Sequence, residues 1–397
     1  MTHNISFHPT IAGSLKSNIE VDLWENVQQQ FHQGDYINSI RNCINYINPA
    51  IEKKYANADR TEYNVPHGSV IIHLKITDEA LYISAPFLDI TTAKQIPVLR
   101  QVAQLNFAPL MLSRIDLENN KLYFRFSCAL DVCEPLKVYD VLREICINAD
   151  NYDDEFITKF NATRIQEPKI THYSQDEKDI VWNHIQLYIQ EAFDIYDQLE
   201  NKRLNTYLWD ILVITLLKID YYCAPQGNLR NEIEKAITNL NSKADYYQRL
   251  SGGIEFLKKI QNYDKTKLET DLYKIETFVP FKFKTTLESL RKNFKKAYET
   301  AENEIKIKDY IGATFTLQYA IFHFLYNNNI DDNITLIITN ALQQATNKPV
   351  NEASKILYNM LHVLMTTDDI SATIAPHEPI KENKNIEKKG FFSKLFG

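Results

Sequence analysis

A change of hydrophobic period near Pro168 constrains this chain more than any other feature, because the period decides which element can bury an apolar face. Before it, Val70, Ile72, Leu74 and Ile76 alternate with Ile71, His73 and Lys75. After Thr77-Asp78-Glu79 the alternation resumes with Leu81, Ile83, Ala85 and Phe87. A period of two sends successive side chains to opposite faces, so these runs predict a hairpin with one apolar side. A second hairpin is predicted from Arg114–Leu117 and Leu122–Leu130 around Asn119-Asn120, with Leu122, Phe124, Phe126, Cys128 and Leu130 facing one way and Tyr123, Arg125 and Ser127 the other.

Helical steps of three and four flank these strands. Val21, Trp24, Val27 and Phe31 form one set, and Ile37, Ile40, Ile44 and Ile47 form another behind the Gly34-Asp35 break. Thr91–Gln104 reads as a helix capped by Thr91 or Thr92; Pro135 opens another to about Cys146, and an acidic one covers Tyr152–Phe160. Beyond Pro168 the strand signal vanishes. Helices are predicted over Gln175–Leu199, Arg203–Tyr222, Asn228–Leu240, Ala244–Asn262, Thr266–Phe278, Thr285–Lys306, Tyr310–Tyr326, Asn333–Gln344 and Val350–Met365, with Ser251-Gly252-Gly253 among the breaks. The expected architecture is an α+β N-terminal domain, an antiparallel sheet with covering helices, followed by an all-α helical domain and a disordered tail. The divisions are an irregular N-terminus at 1–18, the α+β domain at 19–165, the helical domain at 170–366, a flexible linker at 367–387 and a Phe-rich peptide at 388–397.

Several function classes lose their support at this stage. With nine glycines and no GxGxxG, GxxxxGK[ST] or GxSxG, nothing predicts a phosphate cradle or a nucleophile elbow. A net charge of −7 disfavours a nucleic-acid partner, since phosphates need a basic surplus. The ten histidines are dispersed, and Cys43, Cys128, Cys133, Cys146 and Cys223 lack metal-ligand spacing, so no metal and no cofactor are expected. All five cysteines read as buried reduced thiols, which fits a cytoplasmic protein. Residues 1–18 show no signal-peptide pattern, and the most apolar stretch, Tyr207–Ile219, contains Asp210 and Lys218 and is too short to span a bilayer. No nucleophile has an evident base, so no catalytic residue is named and no enzyme is expected. Asp150, Asp153, Asp154 and Glu155 read as solvated charge at a helix start, because a calcium loop would need a Gly and a terminal Glu that are absent.

One family resemblance rests on the first domain. Pro66-His-Gly-Ser-Val-Ile-Ile-His-Leu followed by Ala80-Leu-Tyr-Ile-Ser-Ala-Pro-Phe resembles the first hairpin of the YbjN and type III secretion chaperone-like superfamily. Leu105-Asn-Phe-Ala-Pro-Leu, Lys121-Leu-Tyr-Phe-Arg-Phe-Ser and the segment from Asp140 to Asp153 are similar to its later segments. The resemblance covers about residues 20–165 and is one of hydrophobic pattern. It implies a chaperone-like, non-enzymatic role in binding peptides or partner proteins, often as a homodimer.

The residues agree with such a role in two places. The polar sheet face carries His73, Tyr82, Ser84, Tyr123 and Arg125, and Tyr and Arg offer large contact area with a polar handle. At the C-terminus, Phe391, Phe392, Leu395 and Phe396 would pair at i,i+4 in a helix, beside Lys388, Lys389 and Lys394. That peptide suits a partner's groove, with contact to a membrane surface as the competing use. The expectation is therefore a protein- or peptide-binding adaptor. The alternative is a nucleic-acid-binding protein or an enzyme with its site in the helical domain. A Lys/Arg stripe over Lys282, Lys284, Arg291, Lys292, Lys295 and Lys296 would favour the first, and a pocket gathering ionisable groups the second.

Overall fold

The computed structural model describes residues 6–10, 18–167 and 170–367. Both hairpins join one antiparallel sheet of β1 (Glu62–His67), β2 (Val70–Ile76), β3 (Ala80–Asp89), β4 (Arg114–Glu118) and β5 (Lys121–Ala129), in the spatial order β1-β2-β3-β5-β4. Strand β1 was not legible in the sequence. It carries Pro66, which cannot donate to a ladder and is tolerated because β1 lies at an edge. The helices α1 (Trp24–His32), α2 (Tyr36–Ile47), α3 (Ala50–Tyr55), α4 (Gln95–Phe107) and α5 (Pro135–Phe160) accompany the sheet. Ile72, Leu74, Ile83, Phe87, Leu122 and Phe124 meet Val138, Leu142 and Ile145 of α5 in a closed core. That packing covers one face of the sheet.

Two helix expectations in the first domain need correction. The separate helices ending near Cys146 and starting at Tyr152 are one continuous α5 of 26 residues, with Pro135 in its first turn, where the missing N–H costs nothing. Helix α4 begins at Gln95, because Asp89 Oδ1 accepts the Thr91 N–H at 2.8 Å and holds the chain in a turn. Cys128 and Cys133 form a disulfide, so they are not reduced thiols. The turn after β5 brings their Cα atoms to 6.2 Å, within bonding range, while Cys43, Cys146 and Cys223 are free and buried.

After a short strand β6 (Thr163–Arg164) on β3, the chain enters the helical region. It comprises β7 (Ile170–His172), α6 (Gln175–Asn201), α7 (Leu208–Cys223), α8 (Gly227–Leu240), α9 (Tyr246–Gln261), α10 (Lys265–Thr270), β8 (Tyr273–Ile275), β9 (Phe283–Lys284), α11 (Leu287–Lys306), α12 (Tyr310–Asn327), β10 (Asn328–Asn329), α13 (Asp332–Ala345) and α14 (Val350–Thr366). Helix α7 is buried along almost its whole length and forms the axis of this body. Ser251-Gly252-Gly253 does not break α9, since the buried Leu250, Leu257 and Ile260 hold the helix on either side. The region is not purely helical either, because β7 pairs with β8 and β9 with β10. The helix expected over Thr266–Phe278 stops at Thr270, where Asp271 turns its carboxylate to the Leu229 N–H at 2.8 Å and the chain extends.

That extended chain then crosses to the sheet. The Gly68 N–H donates to Glu276 O at 3.1 Å and the Phe278 N–H to His67 Nδ1 at 3.0 Å, while Phe278 and Val279 complete the core beneath the sheet. The N-terminus crosses in the other direction. Phe7 is buried in the helical core beside Tyr221 and Phe322, and the Phe7 N–H donates to Thr346 Oγ1 at 3.1 Å. Each body thus contains a strap drawn from outside its own stretch of sequence.

Candidate functional site

The uncovered sheet face is built by register. Asn64, His73, Ser84, Arg125 and Arg114 stand in one lateral row across β1, β2, β3, β5 and β4. Tyr82 lies two residues to one side of this row, opposite Ser127, and Tyr123 two residues to the other, opposite Pro86. At a strand rise of about 3.3 Å the two tyrosines are about 13 Å apart along the strands, the span of four residues of extended peptide. His73, Tyr82, Tyr123 and Arg125 share one shallow groove, whose far wall is Leu112 from the loop after α4. The structure therefore brings together the four sheet residues singled out by sequence. Phe391, Phe392, Leu395 and Phe396 lie outside the described residues.

The groove is polar without being strongly charged. Arg125 pairs with Glu118 and rests 5.2 Å from the centre of the Tyr123 ring, and Arg114 pairs with Asp116 at 3.0 Å. His73 Nδ1 is 2.5 Å from Asn64 Oδ1, and burial pushes its pKa down, so the ring stays neutral near pH 7 and offers Nε2 as an acceptor. Tyr82 is 48% exposed, an aromatic ring free to contact a ligand. The groove's wall is fixed in place, because Glu144 on α5 accepts the Met111, Leu112 and Ser113 N–H groups at 2.8, 3.2 and 2.7 Å. At the end of α4 and in the loop after it, Phe107 and Met111 are 90% and 89% exposed.

A second cluster escaped the sequence reading. Asp150 and Asp153 are not solvated charge at a helix start: they lie inside α5, buried where it meets the helical body. Gly68 at φ 53° makes room, since a Cβ there would come within 2.2 Å of Asp150 Oδ1, and Gly227 at φ 55° does the same for Asp154 and Asp271. Burial first, then the neighbouring carboxylates, raises Asp150 to about 7 and Asp153 to about 6. Arg164 answers this charge, with Nε 3.0 Å from Asp153 Oδ2 and a further pair to Asp154. The open cleft beyond is laced with ion pairs, among them Lys259–Glu232 at 2.6 Å and Lys235–Glu155 at 3.5 Å, and its lining contains no Ser, Cys or His. Of these pairs, Lys235–Glu155 joins α8 to α5 across the junction. The available sequence signal was the stripe Cys146, Asp150, Asp153, Ile157, in which acids occupy core positions.

The basic stripe proposed from sequence is not assembled. Lys282 donates to Leu325 O at 2.8 Å, Lys284 to Ile19 O at 2.6 Å and Arg291 to Leu364 O at 2.9 Å, while Lys292 pairs with Glu288. Among the described residues no group of three or more His, Cys, Asp or Glu could hold a metal ion, and no helix is long and apolar enough to cross a membrane. No protein-family model matches the chain, and no curated protein is significantly similar to it.

Proposed function

We propose that this chain is a non-enzymatic, chaperone-like adaptor that binds an extended segment of a partner protein on the open face of its sheet. The observation that carries this reading is the convergence of His73, Tyr82, Tyr123 and Arg125 from three strands into one groove of peptide length. Neutral hydrogen-bonding groups flanked by tyrosines suit a peptide better than a polyanion, and the resemblance to the YbjN and type III secretion chaperone-like superfamily points the same way. We place the adaptor in the cytoplasm on the buried free thiols Cys43, Cys146 and Cys223, against which the Cys128–Cys133 disulfide counts. Phe391, Phe392, Leu395 and Phe396 supply its second contact.

Panning the full chain against a broad peptide library tests the reading. Enriched peptides should lose about tenfold or more in affinity to Tyr82→Ala or Tyr123→Ala, the scale of one interfacial aromatic. Absence of enrichment, or enriched peptides indifferent to all four groove substitutions, would sink it. The full chain is needed, because a fragment ending near residue 165 lacks Phe278 and Val279 from its own core.

A further inference from the structure

The turn after α7, the crossover chain at 277–282 and the α12–α13 connection enclose a cavity of about 60 Å³. At roughly 10–15 Å³ per water it has room for four to six waters, or for one small organic molecule. Its polar lining includes Asp220, Gln226, Arg230 and Lys282 alongside several threonines and asparagines, with Tyr221, Phe281 and Leu325 as apolar walls.

Their hydrogen-bonding capacity is unspent on both sides. Asp220 is 9% exposed, and among the described residues no hydrogen bond or ion pair reaches its carboxylate. Gln226 is 2% exposed; its Nε2 donates to Ala224 O at 3.2 Å and its Oε1 has no partner. On the donor side, Arg230 uses only Nε, toward Glu234 at 3.1 Å, and stacks 3.5 Å above the Phe281 ring. Lys282 spends one of its three ammonium hydrogens on Leu325 O. Buried acceptors without donors are costly, as are buried cations with spare hydrogens. Asp220 forms no direct ion pair with either cation, so the two needs are left for something that carries both signs.

We propose that this cavity binds a small zwitterion of the free α-amino acid class, its ammonium group on Asp220 and Gln226 Oε1 and its carboxylate on Lys282 and Arg230. The volume limits the side chain to the size found in glycine, alanine or serine, packed against Tyr221 and Leu325. Burial pushes the Asp220 carboxyl up and the Lys282 ammonium down in pKa, each partly offset by the other's charge. The site is independent of the sheet groove and stands or falls separately.

Titration calorimetry of the full chain tests it, with glycine, alanine and serine as probes and acetate and methylammonium as half-ligands. At least one amino acid is expected to bind saturably, with acetate and methylammonium each at least tenfold weaker. Asp220→Asn and Lys282→Gln, both close in size to the native side chains, should each weaken that binding at least tenfold. Absence of saturable heat with all three amino acids would overturn the proposal, as would acetate binding as well as glycine. The half-ligand comparison uses the unmodified chain, so it decides even where a substitution prevents folding.

Discussion

Replacing Asp150 by Asn removes a charge while keeping the shape, and the structure fixes the sign of the result. The carboxyl sits at about 7 in the folded protein against 3.8 when free. Below 3.8 both states hold the proton and the group has no effect on stability. Between 3.8 and about 7 the unfolded chain releases its proton while the folded one keeps it, so stability falls as pH rises; above about 7 the full cost is present. A difference of about three pH units at about 1.4 kcal/mol each comes to about 4 kcal/mol. Asp150→Asn should therefore raise unfolding stability by about 2–4 kcal/mol at about pH 8.5 and leave it nearly unchanged at about pH 3.5. Urea denaturation across that range, followed by the fluorescence of Trp182 and Trp209, measures it. An equal shift at both pH values would refute the reasoning, because a packing effect does not titrate.

Two further outcomes concern the N-terminal strap. Phe7→Ala empties a slot in the helical core and should cost about 3–5 kcal/mol, read as a fall in denaturation midpoint; a change below about 1 kcal/mol would show that the slot closes or was never filled. His8 and His184 stack with ring centres 3.9 Å apart, and burial lowers both, His184 to about 4. Lowered histidines favour the docked state above their ordinary 6.5 and lose that contribution as pH falls toward 4. Hydrogen exchange at the Phe7 amide should thus accelerate between about pH 6.5 and 4 beyond the intrinsic pH trend, and His184→Gln should flatten that rise.

The sheet and most helices were legible because their periods are strong. Val70–Ile76 and Leu81–Phe87 alternate without a break, and α14 shows helical spacing throughout. The four groove residues followed at once, since a strand's period assigns every second residue to the other face. The failures share a cause: they depend on partners far along the chain. Strand β1 owes its place to β2, and β8 exists because β7 lies beside it. Asp150 reads as a surface charge until α8 is packed against α5, and Lys282 as part of a basic stripe until Leu325 O takes its hydrogen. Asp35-Tyr36 and Asp309-Tyr310 each follow a left-handed helix stop, at Gly34 and Lys308, which no hydrophobic period announces.

The strap through Phe7 also bears on how the chain is made. Ser6 places its hydroxyl 2.8 Å from Glu191 and its carbonyl 3.1 Å from the Lys218 ammonium, while Phe7 is tied to Thr346, 339 residues further on. At a synthesis rate of roughly 5–20 residues per second, Phe7 waits roughly 17–70 s for Thr346 to appear. Over that interval the sheet body also lacks Phe278 and Val279, so neither body can close in the order in which it is translated. Residues 6–10 therefore reach their place in the helical body only after α13 has been made.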